Sequence, residues 1–528
     1  MRPAIPTPRL WLLLLTGCAI SMPEPTEGTT APPPVKVVVT GNASVSNFKL
    51  LANGIDVTGQ MAYQGNNRYQ GSLTLPPGTA LLDASADVYC WYCSGSTTHS
   101  TVHRSFTVLS SHAFIDIDAG GSHTCAIDDA NKAWCWGDNS NGQLGTGAAA
   151  DLSCSLDPAQ PQHPCRMNPA AVDGNTSFRQ LSAGRAHTCA LSTGGQLSCW
   201  GHNDRGQLGN GTQTDSRVPV LVSGALSFKA VSAGDAHSCA ITVANELYCW
   251  GDNGRGQLGV IGVNNCLTGT QTGCSPVPVR QGTGVPGGMF LFFELSAGGR
   301  HTCASNLQNV KCWGDNTEGQ LGIATIGVAT GGANATLSVN GQFLSYAAPA
   351  GTNLGPGLSA GSAHTCAFRS AGSGLACWGD NHGDQLGGSW PQASFPDPKP
   401  AAAGSGKLMT GISAGFQHTC ALMQSPVGSK NQPACAGRND RGQLGTASHN
   451  ASSTFSPVAF GAAAGQDFFK VTAGKNHSCV LSNTRRLTTT PGGTDFVGAA
   501  YCWGDNTYGQ VGQSYDAQWL TPTEVHFQ

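Results

Sequence analysis

From residue 113 onward, short apolar runs alternate with breaks rich in Gly, Asn and Asp. The plan is clearest between residues 217 and 251, where the connecting segments are shortest. Phe228-Lys-Ala-Val-Ser-Ala-Gly reads as a strand running into a Gly turn, and Ser238-Cys-Ala-Ile-Thr as the next strand. Leu247-Tyr-Cys-Trp-Gly reads as a third, and Arg217-Val-Pro-Val-Leu-Val as the outer strand of the preceding unit. Each is short, β-branched or aromatic, and bounded by turn residues, which predicts strands rather than helices.

The unit recurs. HTCAI from His123, HTCAL from His187, HSCAI from His237, HTCAS from His301, HTCAF from His364, HTCAL from His418 and HSCVL from His477 mark seven copies. Each is followed by a CWGDNxxGQLG-like segment, starting at Cys135, Cys199, Cys249, Cys312, Cys377, Cys435 and Cys502. A unit spaced at 50 to 64 residues cannot bury its own apolar face and must stack on its neighbours. Four strands in each of seven copies predict an all-β fold, a seven-bladed β-propeller over residues 113–528. The chain ends in Thr521-Pro-Thr-Glu-Val-His-Phe, like an outer strand, and the repeats begin with Phe114-Ile-Asp-Ile-Asp-Ala, like a first strand. Ring closure is therefore expected through a blade shared by the two ends.

Pairing the central strands so that Cys189 faces Cys199 puts His187 opposite Gly201 and Thr188 opposite Trp200. Opposed residues in an antiparallel pair lie about 4.5–5.5 Å apart, within disulfide range. One hairpin disulfide per blade is predicted: Cys125 with Cys135, Cys189 with Cys199, Cys239 with Cys249, and Cys303 with Cys312. Cys366 with Cys377, Cys420 with Cys435, and Cys479 with Cys502 complete the set. Cys154 with Cys165, Cys266 with Cys274, and Cys90 with Cys93 form three more local pairs. The rival readings are seven zinc sites, a catalytic thiol, calcium at the Asp-Asn of WGDN, and a redox centre at Cys90-Trp-Tyr-Cys93. Zinc lacks a fixed fourth ligand and a Cys-x-x-Cys knuckle. Every thiol has a partner, and Asx turns explain WGDN.

AGxxHxCAL followed by CWGxNxxGQLG is similar to the regulator-of-chromosome-condensation type of propeller repeat, over residues 113–528. The resemblance implies the propeller fold. It says less about function, because one fold hosts many activities.

The N-terminus carries Arg2 and Arg9, then Leu10 to Leu15, then Thr16-Gly17-Cys18, the pattern of a secretory signal over residues 1–17. Leu15-Thr16-Gly17-Cys18 resembles the lipobox of bacterial lipoproteins, which implies lipidation of Cys18. Ala19 in place of Asp implies the outer membrane in that family. Residues 18–34 are Pro- and Thr-rich, a lipid-tethered linker. Residues 35–110 contain five strand-like runs and Leu75-Pro-Pro-Gly-Thr, and look like a small immunoglobulin-like β-sandwich.

Gly is abundant, at 72 residues, and charged residues make up only 11%. Many turns and few charged helix faces fit an all-β chain. The net charge of −3, with no Lys/Arg block, gives no nucleic-acid footprint. Gly404-Ser-Gly-Lys407 resembles part of a phosphate loop, but Ala401 and Leu408 replace its first Gly and its Ser/Thr. No catalytic residue, metal ligand or cofactor is assigned. The expectation is a non-catalytic scaffold: an exported bacterial lipoprotein of the cell envelope that binds a protein or glycan outside the cytoplasm, as a monomer held to the membrane through Cys18. The variable loops after GQLG, on the face of the AGxxH turns, would carry the binding. The alternatives are an extracellular propeller enzyme, a lyase or hydrolase, and a structural envelope component.

Overall fold

The computed structural model describes residues 113–147, 152–154, 163–260, 273–281, 292–305, 310–323, 357–368, 374–401, 408–424, 429–460, 466–485, 496–513 and 518–525. Between residues 20 and 108 it describes strands alone. The chain divides into two compact units, residues 1–111 with 526–528, and residues 112–525.

The second unit is all β, a seven-bladed propeller. Each blade is antiparallel and keeps the sequence order of its strands, except that in blade one Leu152–Cys154 pairs outside His163–Ala171. The second blade is representative: Phe178–Ala183, His187–Ser192, Leu197–Gly201 and Ser216–Leu221 pair in that order. The central hairpin adopts the register that the spacing predicts, with His187 opposite Gly201, Thr188 opposite Trp200 and Cys189 opposite Cys199. The same opposition of His to Gly and Cys to Cys holds in the other six hairpins.

The glycine facing each histidine has a reason other than room for the imidazole. Gly201 sits at φ +104°, and a Cβ there would lie 2.6 Å from the Ala186 carbonyl oxygen. It lets the third strand bulge against the AGxxH turn, and an L side chain would be both strained and blocked.

The ring closes without a shared blade. The last blade contains Phe468–Ala473, His477–Ser482, Ala500–Asp505 and Gln518–Glu524, and the first contains Phe114–Ala119 onward. The two ends already fall on blade boundaries, so no strand has to be exchanged. Side-by-side contacts join blades seven and one instead, with a short clasp in which Phe114 and Gly498 exchange backbone hydrogen bonds of 2.9 and 3.1 Å.

The core lies between blades rather than within them. Cys125, Cys135, Ile127 and Leu144 of blade one pack with Phe178, Leu181 and Trp200 of blade two. Blade two repeats the arrangement with Cys189, Leu208, Phe228 and Trp250. Each stacked aromatic is fully buried, so stacking buries the face that a lone blade would leave wet.

In the first unit the strands form two sheets. One orders Ile20–Glu24, Val35–Gly41, Arg68–Leu73 and Ala62–Tyr63. The other orders Thr30–Ala31, Thr97–Val108, Gly78–Tyr89, Ser44–Ala52 and Ile55–Asp56. A separate immunoglobulin-like sandwich is not distinguished among the described residues.

Candidate functional site

The first strand of every blade ends in Ala-Gly and turns back around a central channel. The residue after that Gly donates its amide to the Gly carbonyl of the next blade. Gly121, Arg185, Asp235, Gly299, Ser362, Phe416 and Lys475 do so in turn, at 3.0 to 3.3 Å, and Lys475 closes the circle on Gly120. The Gly of each Ala-Gly pair has no room for a side chain. A Cβ on Gly184 would lie 2.4 Å from the Gly234 oxygen and 2.6 Å from His187 Cε1. The imidazole is thus accommodated by this glycine, not by the one across the hairpin.

A second ring lies behind the first. The histidine Nε2 of each blade meets the Thr or Ser hydroxyl of the next: His123 with Thr188, His187 with Ser238, His237 with Thr302, and His301 with Thr365. His364 with Thr419, His418 with Ser478 and His477 with Thr124 complete it, all at 2.8 to 2.9 Å. Each hydroxyl spends its one proton on a Gln carbonyl of the preceding blade, as Thr188 does on Gln143 at 2.9 Å. The hydroxyl must therefore accept from histidine, which assigns the neutral tautomer with hydrogen on Nε2. Burial pushes all seven imidazoles down, to about 3 or 4. The same Gln carbonyl also accepts the tryptophan indole, as Gln143 does from Trp200 at 2.9 Å. Each repeated histidine is thus committed through Nε2 to a contact between blades.

The loops after the third strand are Asx turns. Asn139 Oδ1 accepts the Leu144 amide at 3.0 Å, and the other six blades repeat the bond. Glu318, Asp380 and His382 bring potential ligand atoms within 4.8 Å of one another. His382 Nδ1 meets Asp380 at 2.6 Å, the place that the Ser140 and Thr507 hydroxyls fill opposite Asp138 and Asp505. That hydrogen bond to Asp380 raises the imidazole pKa.

Two seams depart from the pattern. In blade six Ala436 stands where the others carry tryptophan, and Phe455 of the outer strand fills the space against Gly387. In blade one a carboxylate replaces the linking hydroxyl, and charged groups are added to the junction of blades seven and one. Elsewhere a Ser hydroxyl accepts the Ala amide of the next blade, as Ser182 does from Ala233 at 3.0 Å. Asp118 takes that place in blade one and accepts from Ala183 of blade two at 2.9 Å. Between blades seven and one the Thr472 hydroxyl accepts the Ala119 amide at 3.0 Å and donates to Asp118 at 2.6 Å, while Asp116 is paired with Lys470. Burial raises the Asp118 pKa against the pull of Lys470.

Seven disulfides join the hairpins, with Cα separations of 4.0 to 4.1 Å. In blades one to four they are Cys125–Cys135, Cys189–Cys199, Cys239–Cys249 and Cys303–Cys312. In blades five to seven they are Cys366–Cys377, Cys420–Cys435 and Cys479–Cys502. Cys303, Cys366, Cys420 and Cys479 are each fully buried, like their partners across the hairpin, so no thiol in them is left for catalysis or metal binding. Cys165 and Cys274 are also disulfide-bonded. Cys18, Cys90, Cys93 and Cys266 lie outside the described residues, as does the side chain of Cys154. Of the Gly404–Lys407 loop, Ala401 and Leu408 flank a stretch outside the described residues.

The turn tips are the residues that the sequence reading passed over. Arg185, Phe416 and Lys475 are exposed at the mouth, with Arg300 one residue beyond its blade's tip and Asp235 half-buried among them. The signal available was the variable position of AGxxH, which changes chemistry while its neighbours repeat.

A model of the RCC1-like domain matches residues 65–480, and one of the RCC1 repeat matches residues 470–510. The probable E3 ubiquitin-protein ligase HERC4 of rat is 31% identical over 129 residues, covering 24% of this chain and 11% of the ligase. The Arabidopsis ultraviolet-B receptor UVR8 is 32% identical over 116 residues, 21% of this chain and 23% of the receptor. Yeast RCC1 (Prp20), solved bound to Kap60, superposes with a TM-score of 0.55 at 20% identity, over 79% of this chain and 84% of Prp20. The matched segment is thus a small part of the curated relatives' length.

These relatives overturn the bacterial reading. They come from rat, Arabidopsis and yeast, and what they share with the chain is the repeat. The expected exported lipoprotein form, with its signal peptide, Cys18 lipid anchor, outer-membrane or cell-surface location and extracellular ligand, rested on four residues, Leu15–Cys18, outside the described part. That short stretch is outweighed by homology spread over the repeats. With a domain model matched over residues 65–480, the chain belongs to the RCC1-like domain family.

Proposed function

We propose that the protein is a non-catalytic scaffold that binds a protein partner on the propeller face carrying the AGxxH turns and the GQLG loops. One observation carries this reading. The polar groups that repeat are spent on joining blades, whereas the turn tips on this face differ in size and charge from blade to blade. Residues on loops of a rigid scaffold are well placed for recognition. Among proteins of the same fold, yeast Prp20 has been studied for its binding to Gsp1p and histones, and with Kap60 bound. A photo-crosslinker placed at Ser362 on this face, and at Asn131 on the opposite face, tests the reading. Partner adducts from Ser362 support it. Adducts from Asn131 alone, or from neither position, overturn it.

We also infer that residues 35–110 form an immunoglobulin-like sandwich separate from the propeller at 113–528. The two sheets of strands before residue 108 and the division of the chain near residue 111 support this. Residues 35–110 produced alone should unfold cooperatively; a non-cooperative melt would count against it.

A further inference from the structure

We infer that the channel mouth is a docking point for an acidic peptide segment of the partner protein, held by Arg185, Arg300 and Lys475. The inference rests on the scaffold reading and names the partner's chemistry. All three cations are exposed, and all three act on the carboxylate of Asp235, which lines the channel; Arg300 stands one residue behind that lining. Among the described residues, Arg185 and Arg300 make no side-chain hydrogen bond or ion pair. The Lys475 ammonium lies 5.9 Å from the Phe416 ring centroid. Asp235, between the two arginine blades, is the one carboxylate among the turn tips.

Three cations facing one carboxylate reverse the sign of the whole chain, whose formal net charge is −3. The cluster is therefore a local feature, not a consequence of composition. Its walls are the Ala-Gly turns of the ring, closely packed and short of polar side chains, and a charge in such a setting is felt strongly by an approaching anion. The tip amides are already bonded to the next blade, so recognition falls to the side chains. Guanidinium groups suit carboxylates in particular, through paired N–H donors.

Phe416 adds an apolar contact. It is 38% exposed and sits beside Lys475, so a segment mixing carboxylates with one aromatic or aliphatic residue matches both features. A nucleic acid matches less well. Tight phosphate binding draws on a row of cations along a groove, and here they converge on one opening.

The test uses the full chain and a fluorescein-labelled peptide in which Glu and Asp alternate around a single Phe. Its control replaces each acid by Gln or Asn. Anisotropy should show the acidic peptide binding at low salt, weakening at high salt, with the control bound far more weakly. Arg185→Gln/Arg300→Gln/Lys475→Gln should weaken binding about tenfold or more, the sum of three exposed charge contacts. No preference for the acidic peptide, or full affinity in the triple variant, overturns the inference. So does complete displacement by inorganic phosphate at an equal concentration, which would mark a general anion site. If partner adducts still form from Ser362 at wild-type yield in the triple variant, the scaffold reading stands and this inference falls. If the peptide binds but Ser362 gives no adduct, the scaffold reading falls instead.

Discussion

Two positions of the AGxxH turn, two residues apart, behave in opposite ways. The histidine is the same in all seven blades, buried, and bonded to a hydroxyl of the next blade. The tip is Gly, Arg, Asp, Gly, Ser, Phe and Lys in turn, and its hydrogen bond to the next blade is made by the backbone. A backbone bond is indifferent to the side chain beside it. The tips are thus free to vary in chemistry without loss of the ring, whereas the histidine cannot. In a repeat protein this separates what holds the fold from what is left for recognition, without any comparison to other chains.

The sharpest way to break the repeating layer is acid. The seven histidines are held neutral when folded, at about 3 or 4, and return to about 6.5 when unfolded. The unfolded chain therefore takes up protons first as pH falls. Their contribution is fully present above about pH 6.5 and is lost progressively below it, at up to about 1.4 kcal/mol per pH unit for each histidine. Denaturant midpoints at neutral and mildly acidic pH should fall steeply; a flat profile would mean that the imidazoles are not held neutral in the fold.

Next in size is the aromatic at each seam. Trp250→Ala removes a fully buried indole and its 2.9 Å bond to Gln207, and should cost about 3–5 kcal/mol in unfolding free energy. Blade six already lacks that tryptophan, and Phe455 occupies the place. Phe455→Ala should cost about as much as other buried Phe truncations, about 3–5 kcal/mol. Ala436→Trp should destabilise by overpacking, about 1–3 kcal/mol, and a thermal melt decides each case.

One hairpin disulfide comes next. Cys239→Ala/Cys249→Ala opens a link between residues 10 apart and should cost about 2–3 kcal/mol. The smallest expected effect is at the mouth. Arg185→Gln/Arg300→Gln/Lys475→Gln should stay within about 0.5 kcal/mol of wild type, as exposed substitutions usually do.

Much of the fold was legible in the sequence because the repeat states its own register. With Cys189 set opposite Cys199, the places of His187 and Gly201 follow from strand geometry. The purpose of Gly201 did not follow, since its positive φ and its approach to the Ala186 carbonyl are properties of the bulge. Ring closure was misjudged because a strand at each end suggests exchange, while only the blade boundaries reveal that none is needed. The contacts between blades were hidden for a related reason. His187 meets Ser238, 51 residues away, and nothing local to either residue announces the other. Nor does local pattern indicate that Asp116, Asp118 and Lys470 meet where the first and last blades join. The site was least legible of all. Arg185, Arg300 and Lys475 are far apart along the chain, and only the ring brings them to one opening.

The central claim is that the repeated layer holds the propeller while the varied tips do not. Guanidinium unfolding of two variants side by side tests it most directly. His301→Ala removes one member of the buried ring and should lose about 2–4 kcal/mol, as a cavity and the lost hydrogen bond to the Thr365 hydroxyl would require. The triple variant at Arg185, Arg300 and Lys475 should unfold with wild-type stability. A stable His301→Ala beside an unstable mouth variant would contradict the account.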